Sequence, residues 1–163
     1  MNKDRLFAKL NWFYSLELNQ VDMYTAQATA VNDPYLSKGL TRVASIEQQH
    51  VDNIAAEIRR LGGEPTRLGD VVAPILGKTL GTLTGALGSS IMLRTDISLE
   101  KKAMSDYQDM ILAVGNDPRL SAVLWDNLID EDLHMSWLAN RLGNPGDKGQ
   151  PAKTGGSGDG RPS

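Results

Sequence analysis

Glu47-Gln48-Gln49-His50 and Glu131-Asp132-Leu133-His134 are two copies of one pattern, E-x-x-H, and together they use both histidines of the chain. On an α-helix, positions i and i+3 lie about 60° apart and about 4.5 Å along the axis. Glutamate and histidine at that spacing can therefore converge on one point. Outward from each copy the sequence repeats further. Glu17 stands 30 residues before Glu47, and Glu100 stands 31 before Glu131. Each of these glutamates is followed seven positions on by a tyrosine, Tyr24 and Tyr107. Each half thus reads as a helical hairpin with one glutamate on its first helix and E-x-x-H on its second. Two such hairpins make an all-α four-helix bundle with near-twofold symmetry among its inward polar residues.

The apolar periodicity supports four long helices. Leu10, Phe13, Tyr14, Glu17, Val21, Tyr24 and Ala28 recur at spacings of three and four and predict a helix from about Lys3 to Val31. Asn32-Asp33-Pro34 ends it and starts the next, with Asp33 as cap and Pro34 at the first helical position. The second helix carries Leu40, Val43, Glu47, His50, Ile54 and Ile58 to about Leu61, where Gly62-Gly63-Glu64-Pro65 stops it. A third begins near Gly88 or Ser89 and runs to about Val114. Gly115-Asn116-Asp117-Pro118 then repeats the cap, and the last helix extends to about Leu142.

Between the hairpins lies a different stretch, Leu68 to Leu93. It is apolar on nearly every side, spaced by Gly77, Gly81, Gly85 and Gly88, with Lys78 the only charge between Asp70 and Arg94. Its glycines, threonines and lysine make it a poor membrane span. It reads as a closely packed crossover joining the hairpins, and a role in peripheral membrane contact or in lining a path for an apolar substrate stays open. Residues 1–142 form the bundle domain; residues 143–163, rich in Gly, Pro, Ser and Lys, are expected to be a disordered tail.

Composition narrows the chemistry. The 163 residues suffice to bury a core without staples. The absence of cysteine removes disulfides, thiolate metal sites, iron–sulfur clusters and thiol catalysis. A metal site must then use oxygen and nitrogen donors, which suits iron or manganese. The net charge of −3, without a basic stripe, gives no footprint for nucleic acid. The N-terminus runs straight into amphipathic sequence, so a cytoplasmic protein is expected.

Glu17, Glu47, His50, Glu100, Glu131 and His134 are accordingly the candidate ligands of a dinuclear metal site. The histidines would give one nitrogen to each ion, Glu47 and Glu131 would bridge, and Glu17 and Glu100 would be terminal. Four carboxylates neutralise two divalent ions, whereas without metal they would repel and take up protons. One E-x-x-H alone is weak, and one buried histidine is more often a hydrogen-bonded core residue. Here, though, the six share stripes with Leu, Ile and Val, and a purely structural reading would bury six ionisable groups without recompense. Tyr24 and Tyr107 should point inward, as donors to the metal carboxylates, as redox relays, or as core aromatics with a satisfied hydroxyl. Asp96 and Asp130 could orient the histidines or lie on the surface. Trp12, Trp125 and Trp137 read as packing residues.

Across roughly residues 5–142 the chain resembles the ferritin-like superfamily of di-iron carboxylate proteins, and within it the demethoxyubiquinone hydroxylase branch. The two Glu-x6-Tyr motifs carry that likeness. So do the shorter gap from Glu17 to Glu47 than from Glu47 to Glu100, and the apolar stretch Ile75–Gly88 before the Glu100 helix. The resemblance implies a ferritin-like fold and a pair of iron ions activating oxygen. It further implies electrons from a reduced nicotinamide or a redox partner, and a quinone-like substrate beside the apolar helix. An oxygen-activating oxidoreductase is the leading expectation. A ferroxidase or peroxidase that handles iron, and a metal-stabilised assembly module without turnover, are the alternatives. A homo-oligomer is expected, since such bundles often bury an outer apolar face.

Overall fold

The computed structural model describes residues 2–69, 71 and 86–143, the side chains of residues 86 and 87 excepted. Most of the Gly-rich crossover and the tail from residue 144 lie outside the described residues. Among these residues are four helices and no strands: α1 (Lys3–Ala30), α2 (Pro34–Arg60), α3 (Ala86–Ala113) and α4 (Pro118–Gly143). The expected all-α four-helix architecture is what is found. The helix bounds fall within three residues of expectation, the largest difference being the start of α3, at Ala86 rather than Gly88 or Ser89. No helix among the described residues is long and apolar enough to cross a membrane.

Local chemistry sets the helix ends. Asn2 caps α1, its side-chain oxygen accepting from the Arg5 N–H at 2.9 Å. Asp33 caps α2 by accepting from Tyr35 and Leu36, and Asp117 caps α4 by accepting from Leu120 at 3.0 Å. Each is followed by a proline whose missing N–H costs nothing there. Helix α2 ends in a left-handed Gly62, φ +83°, with the Gly62 N–H on the Arg59 carbonyl and the Gly63 N–H on that of Ile58. Only glycine adopts that φ without strain.

The helices pack as two hairpins, α1 with α2 and α3 with α4, joined mainly through α2 against α4. Helices α2 and α4 run antiparallel and are tied at both ends. Glu57 accepts from Arg60 at 2.6 Å and Arg119 at 2.8 Å, Arg60 also reaches Asp117, and Arg141 reaches Asp33 at 3.3 Å. Gly39 sits beneath Trp137, so close that a Cβ there would lie 2.1 Å from the ring. Between α1 and α3 the arrangement differs: their Cα atoms nowhere come within 8 Å. Long side chains cross the gap instead.

Leu10, Leu16, Leu40, Ile54, Ile58, Leu99, Leu120, Leu124 and Leu138 form the fully buried aliphatic core above and below the polar centre, each worth roughly 1.5–3 kcal/mol of burial. Of the tryptophans, Trp12 and Trp137 pack against this core, but Trp125 is half exposed on the outer side of α4 and is no packing residue. Start of the crossover is pinned to α1 by a ladder that periodicity did not reveal. Asn11, Ser15 and Asn19, one turn apart, accept from the backbone N–H groups of Thr66, Leu68 and Val71 at 2.7–2.8 Å.

Candidate metal centre

Four helices each contribute one or two ionisable side chains to the middle of the bundle. Glu17 comes from α1, Glu47 and His50 from α2, Glu100 from α3, and Glu131 and His134 from α4. All are buried, the four carboxylates completely. Two groups of four emerge, within each of which one ligand atom per residue lies within 4.8 Å of the others. The first is Glu17, Glu47, His50 and Glu131; the second is Glu47, Glu100, Glu131 and His134. The groups share Glu47 and Glu131 and differ in one glutamate and one histidine each.

In both histidines Nδ1 faces the carboxylates. His50 Nδ1 lies 3.0 Å from Glu47, 3.4 Å from Glu131 and 3.7 Å from Glu17; His134 Nδ1 lies 3.0 Å from Glu47 and 3.5 Å from Glu131. These are ion-pair distances, yet among the described residues both Nδ1 atoms, both oxygens of Glu47 and Glu131, and one oxygen each of Glu17 and Glu100 lack a partner in hydrogen-bonding geometry. The donors converge on shared points rather than pair with one another. Buried polar atoms left so are costly, and convergent oxygen and nitrogen donors are what a pair of hard divalent cations requires. The residues therefore fit a dinuclear metal group.

Electrostatics tells the same story. Burial, reinforced by Glu131 and Glu47, pushes Glu17 up to about 8, although His50 beside it acts the other way. Burial and then Glu131 lift Glu100 well above the carboxylate range. For Glu131, burial acts upward, but the close approach of Glu100, His134 and His50 outweighs it and holds the group below its ordinary value. Burial acts to lower both histidines, and the carboxylates around them more than reverse it; His134 rises to about 9. Protons thus hold the cluster together when cations do not, and metal binding must release them.

Around the six lies a set of supporting contacts. The Tyr24 hydroxyl donates to Glu100 and the Tyr107 hydroxyl to Glu17. Each tyrosine therefore serves the glutamate of the other half of the repeat, and burial raises both phenols well above their usual range. Asn127 donates to Tyr107 at 3.0 Å, and Phe13 stacks on that ring at 4.5 Å between centroids. His50 Nε2 lies 3.2 Å from Asp130 Oδ2, while His134 Nε2 is buried without a hydrogen-bond partner among the described residues. Asp96 faces neither histidine. It accepts from Gln27 of α1 at 2.8 Å, and burial pushes it up to about 7 despite that bond. Asn127, Gln27 and the buried Gln20 escaped the sequence reading. The signal was available: each is a polar residue on a ligand-bearing helix face, Gln20 three residues after Glu17 and Asn127 four before Glu131.

A bundle of two helical hairpins that buries four glutamates and two E-x-x-H histidines at its centre is a protein of the ferritin-like type. The sequence profile of the family described as ubiquinone biosynthesis protein COQ7 matches residues 17–135, well over half of the chain and all six candidate ligands. The chain belongs to that family, the demethoxyubiquinone hydroxylases of the di-iron carboxylate superfamily. No curated relative matches the chain.

Proposed function

We propose that this protein is a di-iron monooxygenase that hydroxylates the ring of a quinone-like molecule. The observation that carries the proposal is the pair of overlapping four-residue groups sharing Glu47 and Glu131. In this reading Glu47 and Glu131 would serve both ions. Glu17 and His50 would complete one ligand set, and Glu100 and His134 the other. Four carboxylates balance two divalent charges, so the loaded centre is close to neutral in its buried setting. When bound, the iron pair supplies reduction and activation of O2.

The protein's own groups set the conditions for that chemistry. Tyr24 and Tyr107 fix the free oxygens of Glu100 and Glu17 by donating to them. With Nδ1 of His50 turned to the centre, its Nε2–H is directed at Asp130, which holds the imidazole in one tautomer. All four carboxylates are completely buried, so the cluster is closed to bulk water. The overall reaction converts a ring C–H to C–OH with one atom of O2, the other leaving as water, and takes two electrons and two protons. A reduced nicotinamide, directly or through a redox partner, supplies the electrons. A peripheral membrane contact fits an apolar substrate, and assembly as a homo-oligomer remains part of the proposal.

The test supplies the iron-loaded chain with ¹⁸O2, a reductant and a short-tailed benzoquinone with one unsubstituted ring position. One ¹⁸O atom in the product ring supports the reading. Uncoupled consumption of ferrous iron or peroxide, with no labelled ring, would move the protein to the iron-handling alternative.

A further inference from the structure

Along the side of α1 that faces α3, three residues recur at intervals of seven: Phe13, Gln20 and Gln27. The first and last meet α3 directly. Phe13 stacks on Tyr107 and Gln27 bonds Asp96. Gln20, midway between them, is completely buried, and neither its amide nitrogen nor its amide oxygen has a hydrogen-bond partner among the described residues. Antiparallel register explains this. Gln27 lies across from Asp96, Tyr24 across from Glu100 and Glu17 across from Tyr107. The position across from Gln20 is then Ala103, whose methyl offers no hydrogen bond. Ala103 is also the repeat counterpart of Gln20, three residues after Glu100 as Gln20 is three after Glu17.

The backbones here stand more than 8 Å apart at every Cα pair. Elsewhere along this interface two Tyr–Glu bonds, a Gln–Asp bond and a stacked ring pair bridge that distance. At the level of Gln20 an amide faces a methyl group. Glu17 and Tyr24 flank Gln20 on α1, and Glu100 and Tyr107 flank Ala103 on α3, already bonded to one another across the gap; the neighbouring Leu16, Met23 and Leu99 are buried and apolar. A buried amide with no partner costs stability that an aliphatic residue would not. Such a group is accounted for when a bound molecule completes its hydrogen bonds, as buried polar groups of binding sites commonly do.

We infer that Gln20 is the hydrogen-bond contact for a ring oxygen of an otherwise apolar substrate seated between α1 and α3 beside the metal centre. The amide can donate to a quinone carbonyl and accept from the hydroxyl of the reduced form, so one residue serves both redox states of the ring. The apolar neighbours accept the remainder of the molecule. Gln20 is a specificity-determining residue in this account and takes no part in bond making. The inference rests on the quinone-type substrate proposed above.

The test compares binding of 2-methyl-1,4-naphthoquinone and of 2-methylnaphthalene to the full chain loaded with zinc, a redox-silent ion, by quenching of tryptophan fluorescence. Gln20→Leu should weaken the quinone about tenfold, the size of one hydrogen bond to a buried group, leave the hydrocarbon unchanged, and raise Tm by removing the unpartnered amide. Equal affinities of the wild type and Gln20→Leu for the quinone would overturn the inference alone. No binding of the quinone to the wild type would remove the substrate reading together with it. A lower Tm or loss of folding in Gln20→Leu would show the amide to be bonded within the protein, and would overturn the inference. Gln20→Met, which keeps length without hydrogen bonding, must reproduce the selective loss.

Discussion

The two helix pairs that flank the candidate metal centre are built on opposite plans. Helices α2 and α4 approach closely enough that Gly39 has no room for a methyl group under Trp137, and both ends are clamped by arginine–carboxylate contacts. Helices α1 and α3 stay apart and are joined by hydrogen-bonded and stacked side chains. The close pair carries both histidines and both shared glutamates; the spaced pair carries the remaining glutamates, the tyrosines and the unpartnered Gln20. The groups shared by both ligand sets thus sit on the closely packed pair, and the pair whose spacing is set by side chains carries the rest. The twofold character of the sequence hides this, since each hairpin contributes one helix to each plan.

The strongest way to break the comparison is to remove a shared ligand. Glu131→Ala should abolish binding of both ions, and Glu100→Ala of one, as counted by elemental analysis per chain. Stabilisation by iron, about 3 kcal/mol at a hundredfold excess over Kd, should vanish in the first variant and persist in part in the second. Equal losses would mean that Glu131 is not shared. Gly39→Val comes next. It should cost about 1–3 kcal/mol in denaturant melts by overpacking, whereas Ala103→Val on the spaced side should cost less than half as much. Similar costs would erase the contrast between the pairs.

Smaller effects sharpen it. Only His50 has a carboxylate on its outer nitrogen, because the position before Glu47 is Ile46 where Asp130 precedes Glu131. Asp130→Asn should weaken one ion by about 10- to 100-fold and leave the other, giving a more widely split two-step titration or moving its order. A uniform weakening of both steps would contradict a local role. The smallest expected difference lies between the tyrosines. Tyr107→Phe also strands the Asn127 amide, so it should be less stable than Tyr24→Phe by about 1 kcal/mol, read from paired thermal melts.

Much of this was legible in the sequence because it depends on local spacing. The Asn-Asp-Pro pairs cap helices through contacts within three residues, and the repeated E-x-x-H carries its own geometry. What was not legible depends on how the hairpins meet. That Tyr24 serves Glu100, and Tyr107 serves Glu17, follows from the antiparallel register of α1 and α3. The same register takes Asp96 to Gln27 rather than to a histidine. Trp125 reads like its fellow tryptophans until α4 is rotated by the demand to bury Glu131 and His134, which leaves the ring half in solvent. The Asn11, Ser15 and Asn19 ladder was hidden for a similar reason, since its partners are backbone groups of a distant segment.

The central claim is that six residues hold two ions and no more. The most direct measurement adds ferrous iron in steps to the metal-free chain without air, then admits air and counts the ions oxidised. Binding that saturates at about two ions per chain, followed by oxidation of those two alone, is what a shared-ligand dinuclear centre requires. Saturation at one ion, or oxidation that continues with every further addition of iron, would contradict it.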